Sequence, residues 1–196
     1  MSPLFGVSGN CVPKLALPVG LTSSVARKSN LISSKRVERS NGAVIGASTE
    51  IEPVVSGLLR TFAKVYGERA IEFHGSISAG LRFRGERQDL QEIIGNLLDN
   101  AGKWATSRVV LSLSLDGGGA GQPDFLILTV DDDGPGLPAD LRDQAIKRGR
   151  RLDETKPGSG LGLSIVADLA AVYAGDFTLE TSPLGGLQAR LRLPAA

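Results

Sequence analysis

The tract Asn96-Leu97-Leu98-Asp99-Asn100-Ala101-Gly102-Lys103 sets two carboxamides and an ammonium at positions i, i+4 and i+7 among mostly apolar neighbours. At about 100° per residue, these three side chains fall within roughly 60° of one another on a helix. Ile94, Leu97, Leu98 and Ala101 then point the other way. The apolar side accounts for a half-buried helix from Arg87 to Ala105. It does not account for the two Asn, whose amides compete for backbone hydrogen bonds and disfavour helix. Neutral carboxamide oxygens are hard donors suited to Mg²⁺, and a lysine one turn further on suits a phosphate. On this tract alone, a solvated helix face that happens to carry Asn stays open.

The 196 residues suit one domain with an appendage better than two full domains, and a 41% hydrophobic fraction is enough for a core. A single cysteine, Cys11, excludes an internal disulfide framework and fits a reducing compartment. No apolar run approaches the roughly 20 residues of a membrane span, so a cytoplasmic chain is expected. The net charge of +1 leaves no electrostatic footprint for nucleic acid. That total hides an asymmetry, because residues 1–49 carry net +5 and residues 50–196 carry −4. The first segment is basic, Ser-rich and dotted with Pro3, Pro13 and Pro18. It lacks sustained periodicity, which predicts little fixed structure before about residue 25. Its composition also resembles an organellar transit peptide, although a truncated boundary or misplaced start would look the same.

From Glu50 the pattern becomes regular. Pro53 to Tyr66 has apolar residues at Val54, Leu58, Phe62 and Val65, a helical spacing with Pro near the first turn. Ala70 to Ile77 and Gly80 to Phe83 read as short strands. Val109 to Leu115 and Phe125 to Val130 are β-rich runs separated by the glycine cluster 117–121, read as a loose hairpin loop. Leu163 to Ala174 reads as a helix stopped by Gly175. Phe177 to Thr181 and Leu187 to Leu193 then form a hairpin turning at Gly185-Gly186. This order predicts an α/β (α+β) two-layer sandwich, with one mixed sheet covered by helices on one face.

Three further tracts suggest a ligand. The strand from Phe125 runs into Asp131-Asp132-Asp133-Gly134-Pro135-Gly136, where successive carboxylates repel and the glycines allow close approach. A buried carboxylate there could accept a hydrogen bond from an exocyclic amine such as adenine N6. A Ca²⁺ loop of the EF-hand type needs alternating acidic positions and a distal Glu, which this tract lacks. Pro138 to Pro157 is polar and carries Lys147, Arg148, Arg150 and Arg151 between flanking glycine and proline. It reads as a mobile lid bringing positive charge toward a phosphate, or as a solvated basic loop. Gly158-Ser159-Gly160-Leu161-Gly162-Leu163 then opens the second helix, where backbone N–H groups favour an anion. The spacing is neither a Rossmann fingerprint nor a Walker A loop.

Taken in this order, the four tracts resemble the ATP-binding (GHKL, or Bergerat) fold shared by histidine kinases, gyrase, Hsp90 and MutL. The resemblance covers roughly residues 50–196. Asn96 to Lys103 looks like the N box, Asp132 to Gly136 the G1 box, and Gly158 to Leu163 the G2 box. Within the superfamily the chain is most similar to the catalytic domain of PhoQ-type sensor histidine kinases, through its Asp-Asp-Gly-Pro-Gly tract and the Arg148 to Arg151 pattern.

The resemblance implies roles for individual residues. Asp132 would accept the adenine amine, with Gly134 and Gly136 shaping the floor of the site. Asn96 and Asn100 would hold Mg²⁺ and the phosphates, with Lys103 on phosphate. Arg148 and Arg151 match lid arginines that meet the phosphates. Gly158, Gly160, Leu161, Gly162 and Leu163 would clamp the phosphates by backbone. Asn96, Lys103 and Arg148 would thus be the catalytic set. Trp104 sits where the family often has an aromatic near the nucleotide, and core packing is an equal alternative. In the gyrase and Hsp90 branch a Glu one turn before the Mg²⁺-binding Asn activates water. Here that position is Asn96, which cannot act as a base, so phosphoryl transfer is expected over hydrolysis. Glu92, one further turn back, is a candidate to assist a histidine nucleophile.

A kinase of this type also needs a dimerisation helix pair with a phosphoacceptor histidine. The single histidine, His74, lies in a predicted strand without that context and reads as structural. Residues 1–49 are therefore expected to hold at most the remnant of a dimerisation helix. The expected partner is a phosphoacceptor domain supplied in trans, and through it a response regulator. The isolated domain would be a cytoplasmic monomer derived from an inner-membrane sensor. Two other readings stay open: a regulatory ATP-binding module without catalysis, and a serine kinase of the same fold, as in anti-sigma factors.

Overall fold

The computed structural model describes residues 47–117, 123–147 and 160–196. Strand β1 (Thr49–Glu50) leads into helix α1 (Glu52–Val65), and a 3₁₀ turn (Gly67–Arg69) precedes strand β2 (Glu72–Ile77). Strand β3 (Arg82–Phe83) pairs antiparallel with β1 as a separate two-stranded ribbon. Helix α2 (Arg87–Trp104), strands β4 (Arg108–Asp116) and β5 (Phe125–Asp132), and helices α3 (Ala139–Ile146) and α4 (Gly162–Val172) follow. Strands β6 (Asp176–Thr181) and β7 (Leu187–Pro194) complete the chain.

Five strands form one sheet in the order β2-β4-β5-β7-β6. β2 runs parallel to β4 and every other pairing is antiparallel, so the sheet is mixed. The parallel pair requires a long crossover, and α2 supplies it. Register explains the single covered face. Leu111 lies opposite Val130, Val130 opposite Ala189, and Ala189 opposite Leu179, and all four are buried. One residue along, Ser112, Thr129 and Arg190 align on the other face and keep contact with solvent. A period of two with only one apolar phase is what a sheet covered on one side demands. The helices fill that side through Val54 and Val55 of α1, Leu90, Ile93, Ile94, Leu97 and Leu98 of α2, and Val166 and Leu169 of α4.

The mixed sheet with its one-sided helical cover is the architecture predicted from the sequence pattern. One reading needs correction: the stretch read as a lid from Pro138 begins with helix α3. This helix buries no residue fully, so its sequence carries little periodicity. Arg142 ties it down, with Nε donating to the Leu137 carbonyl at 3.1 Å and a terminal nitrogen to Thr181 Oγ1 at 2.8 Å. The stop after α4 also differs in detail. Ala174 takes the left-handed conformation (φ 51), while a Cβ on Gly175 would run into the Arg192 carbonyl. Gly175 is thus demanded by the approach of β7.

Candidate functional site

Helix α2 carries the carboxamide stripe because its apolar residues lie on the sheet side. Ile94, Leu97, Leu98 and Ala101 are buried, while Asn96 and Asn100 are half-buried. Asn96 Nδ2 donates to the Glu92 carbonyl at 2.7 Å, which fixes the rotamer and leaves Oδ1 as the acceptor. A Cβ built on Gly162, the first residue of α4, would lie 3.2 Å from that oxygen. The N-box helix and the glycine tract therefore meet at Asn96. Among the described residues the Asn100 carboxamide takes no hydrogen bond. The two amide oxygens fit a hard cation shared with phosphate oxygens. No cluster of three His, Cys, Asp or Glu suited to a metal occurs among the described residues.

The first N–H groups of α4 have no intrahelical carbonyl to bond. Gly160, at φ 69, turns the chain into this helix, and Leu161 stands at its N-cap. Leu163 is half-buried and packs on the core. Arg148, Arg151 and Gly158 lie outside the described residues, as do residues 118–121 of the glycine loop and residues 1–46.

At the other end of α2, Lys103 is ion-paired with Asp99 one turn back. Asp99 Oδ1 also accepts from the Tyr66 hydroxyl at 2.9 Å. Burial first, and then the Asp99 charge and hydrogen bond, push the Tyr66 hydroxyl far above its ordinary range, so it remains a neutral donor. Arg69 caps the helix, donating to the carbonyls of Gly102 at 2.7 Å and Ala105 at 2.8 Å. Trp104 is half-buried, and its carbonyl stands against Gly134, where a Cβ would overlap it.

Strand β5 continues to Asp132, two residues further than its apolar run. Asp132 lies opposite Val109 on the helix-covered face and is 2% exposed. Its Oδ1 accepts from the N–H of Gly134 at 2.9 Å and of Leu187 at 3.2 Å. Among the described residues Oδ2 accepts no such bond. Oδ2 is thus the candidate acceptor for a ligand donor. Burial raises the Asp132 pKa above its ordinary 3.8; the two amides oppose this and the Asp133 and Asp131 charges reinforce it.

Gly186 is a residue of the site that sequence reasoning passed over as a turn. A Cβ there would strike the Asp132 carboxylate and backbone and the Gly134 nitrogen. Gly136, at φ 70, packs on its carbonyl. The signal in the sequence was the Gly185-Gly186 pair, which also suits an ordinary hairpin. His74 lies exposed on edge strand β2, with Nε2 3.1 Å from the Glu72 carboxylate.

A mixed sheet under helices, with carboxamides on one helix, a glycine-bounded helix N-terminus beside them and a buried Asp at a strand end, defines a class of nucleotide-binding protein. The chain belongs to the family of histidine kinase-, DNA gyrase B- and HSP90-like ATPases, which it matches over residues 85–196. Its ATP-binding domain is homologous to those of two-component sensor kinases. It is 41% identical to the sensor protein kinase CarS of Pseudomonas aeruginosa over 152 residues, covering 78% of this chain and 33% of CarS. With the two-component sensor PhoQ of the same organism it shares 36% identity, over 73% of this chain and 31% of that protein. The virulence sensor histidine kinase PhoQ of Salmonella typhimurium is 35% identical over 69% of this chain and 27% of its own length. The chain thus spans at most about a third of these relatives.

Solved structures agree. The mycobacterial sensor histidine kinase MprB superposes with a TM-score of 0.65 at 26% identity, over 76% of this chain and 97% of that one. The ATP-binding domain of PrrB from Mycobacterium tuberculosis gives 0.61 at 27% identity, with the same 76% and 97% coverage. Among the described residues, no helix is long and apolar enough to cross a membrane.

Proposed function

We propose that residues 50–196 form the Mg-ATP-binding catalytic domain of a two-component sensor histidine kinase. This domain donates the ATP γ-phosphoryl to a histidine on a dimerisation domain that partners it. One observation carries the reading: α2 meets the glycine-bounded start of α4 at Asn96 and the Asp132 turn at Trp104. A single helix therefore spans from the phosphate end to the base end of one site.

In this reading Asp132 accepts the adenine amine on Oδ2, a charge-assisted bond of about 1.5 to 3 kcal/mol. The Gly134 and Leu187 amides orient its carboxyl group. Asn96 and Asn100 supply the oxygens for Mg²⁺, which when bound would neutralise phosphate charge. The first amides of α4, with Gly160, Leu161, Gly162 and Leu163, receive phosphate oxygens. Lys103 stands one turn beyond Asn100 with its charge balanced by Asp99, and it supplies cationic charge once phosphate competes for it. Arg148 and Arg151 add lid cations, as their sequence positions imply. Asn96 cannot take a proton from water, so the site favours transfer to another nucleophile over hydrolysis.

Calorimetry on the purified chain tests this. ATP binding that strengthens with Mg²⁺ is the expected result, and no Mg-dependent binding would sink the reading.

A further inference from the structure

Three carboxylates stand in a row at the end of β5, and the adenine site uses only the middle one. The alternation of side chains along β5 turns Asp131 away from the face that holds Asp132, and Asp133 follows directly after the strand ends. Each of the outer two binds a different neighbouring loop. Asp131, 6% exposed, accepts on Oδ1 from Ser182 Oγ and from Gln188 Nε2, both at 2.9 Å. These two residues bracket the turn whose Gly186 N–H reaches the Asp132 carbonyl at 3.2 Å and whose Leu187 N–H reaches its Oδ1.

Asp133 binds the chain that leaves α2. Its Oδ1 accepts from the N–H groups of Thr106 at 2.8 Å, Ser107 at 3.0 Å and Arg108 at 3.1 Å. Its Oδ2 accepts from Ser107 Oγ at 2.6 Å. Three successive amides on one carboxylate fix the path of residues 106–108, directly after the Trp104 carbonyl that abuts Gly134. Slight burial pushes the Asp133 carboxyl up, but the Ser107 hydroxyl and the Ser107, Arg108 and Thr106 amides outweigh it and hold the group well below the ordinary carboxylate range. Full ionisation beside two other carboxylates is thus offset by donors on both sides.

We propose that Asp131 and Asp133 are positioning residues for base recognition, which clamp the 182–188 turn and the 104–108 loop against the two sides of Asp132. The inference rests on the reading of Asp132 as the adenine carboxylate. Its consequence lies in selectivity. Adenine presents an N6 amine donor where guanine presents an O6 acceptor, so the ratio of ATP to GTP affinity reports where Asp132 stands. A merely structural role would lower the folded fraction and weaken both nucleotides alike.

The test measures ATP and GTP dissociation constants of the full chain and its variants. Asp133→Ala should reduce the preference for ATP about three- to tenfold, the order expected for losing charge-assisted bonds. Asp133→Asn, which keeps an acceptor for the amides, should restore most of it. Ser107→Ala and Ser182→Ala, which each remove one donor, should lower the ratio about twofold, and they decide the matter should Asp133→Ala fail to fold. If the wild type prefers ATP and these variants keep its ratio, the positioning role is overturned while the ATP reading stands. If the wild type binds ATP no better than GTP, the role of Asp132 falls and the inference falls with it.

Discussion

At the scale of single residues, the site sets binding against stability. Asp132 is buried as a carboxylate with its pKa raised, so its protonated form is the one folding favours. The stability this lends is fully present below the ordinary 3.8 and is lost as pH rises through the folded value. Asp132→Asn should therefore raise the melting temperature at pH 7, read by calorimetric scanning, while weakening ATP binding about tenfold through the lost charge-assisted acceptor. Because the wild-type group protonates above 3.8, its ATP affinity should fall in that window on acidification. The variant's affinity should change less over the same range. Asn100→Ala should act elsewhere, removing most of the gain that Mg²⁺ gives to ATP binding while leaving metal-free nucleotide affinity within about twofold. Equal losses in both assays for both variants would contradict this division. Asp132, Asn96 and Asn100 stood out as candidates because their residue types conflict with their local setting. Asp131 and Asp133 were not, since a carboxylate beside a carboxylate gives no sign of which way each points.

At the scale of elements, α2 runs from the start of α4 to the Asp132 turn, and its packing is tight at one glycine. Gly102 sits inside the helix, where replacing Gly by Ala ordinarily gains about 1 kcal/mol. Here a Cβ would lie 2.6 to 2.9 Å from ring atoms of Tyr66. That ring cannot retreat, because its hydroxyl is bound to Asp99 and its face packs near Phe62 and Phe73. Gly102→Ala should thus destabilise the domain by about 1 to 3 kcal/mol, the usual range for overpacking, as read by urea titration. Helix propensity alone predicts the opposite sign. The buried helices α1, α2 and α4 were readable from periodicity, because each hides an apolar stripe. α3 was not, because it hides none and is held by Arg142.

At the scale of the molecule, the proposed chemistry needs a second domain, since His74 lies exposed on edge strand β2 and is paired with Glu72. Incubated with labelled ATP, the chain should phosphorylate a separately made dimerisation domain and give an acid-labile product. An acid-stable label would point to serine instead, and binding without any label to a regulatory module. Asn100→Ala should reduce labelling by at least about tenfold.

The sequence by itself determined which residues are candidates for the chemistry and that a one-sided sheet under helices would hold them. Local preferences suffice for that: a period of two or 3.6, glycine where the backbone must turn, and amides where a helix would otherwise reject them. Only the tertiary structure decided that Gly162 lies against Asn96, that Gly186 closes on Asp132, and that Asp131 and Asp133 bind two different neighbouring loops. Those facts depend on strand register and on loops brought together from residues 104–108, 134 and 182–188. Long-range pairing of that kind leaves no periodic trace in the chain.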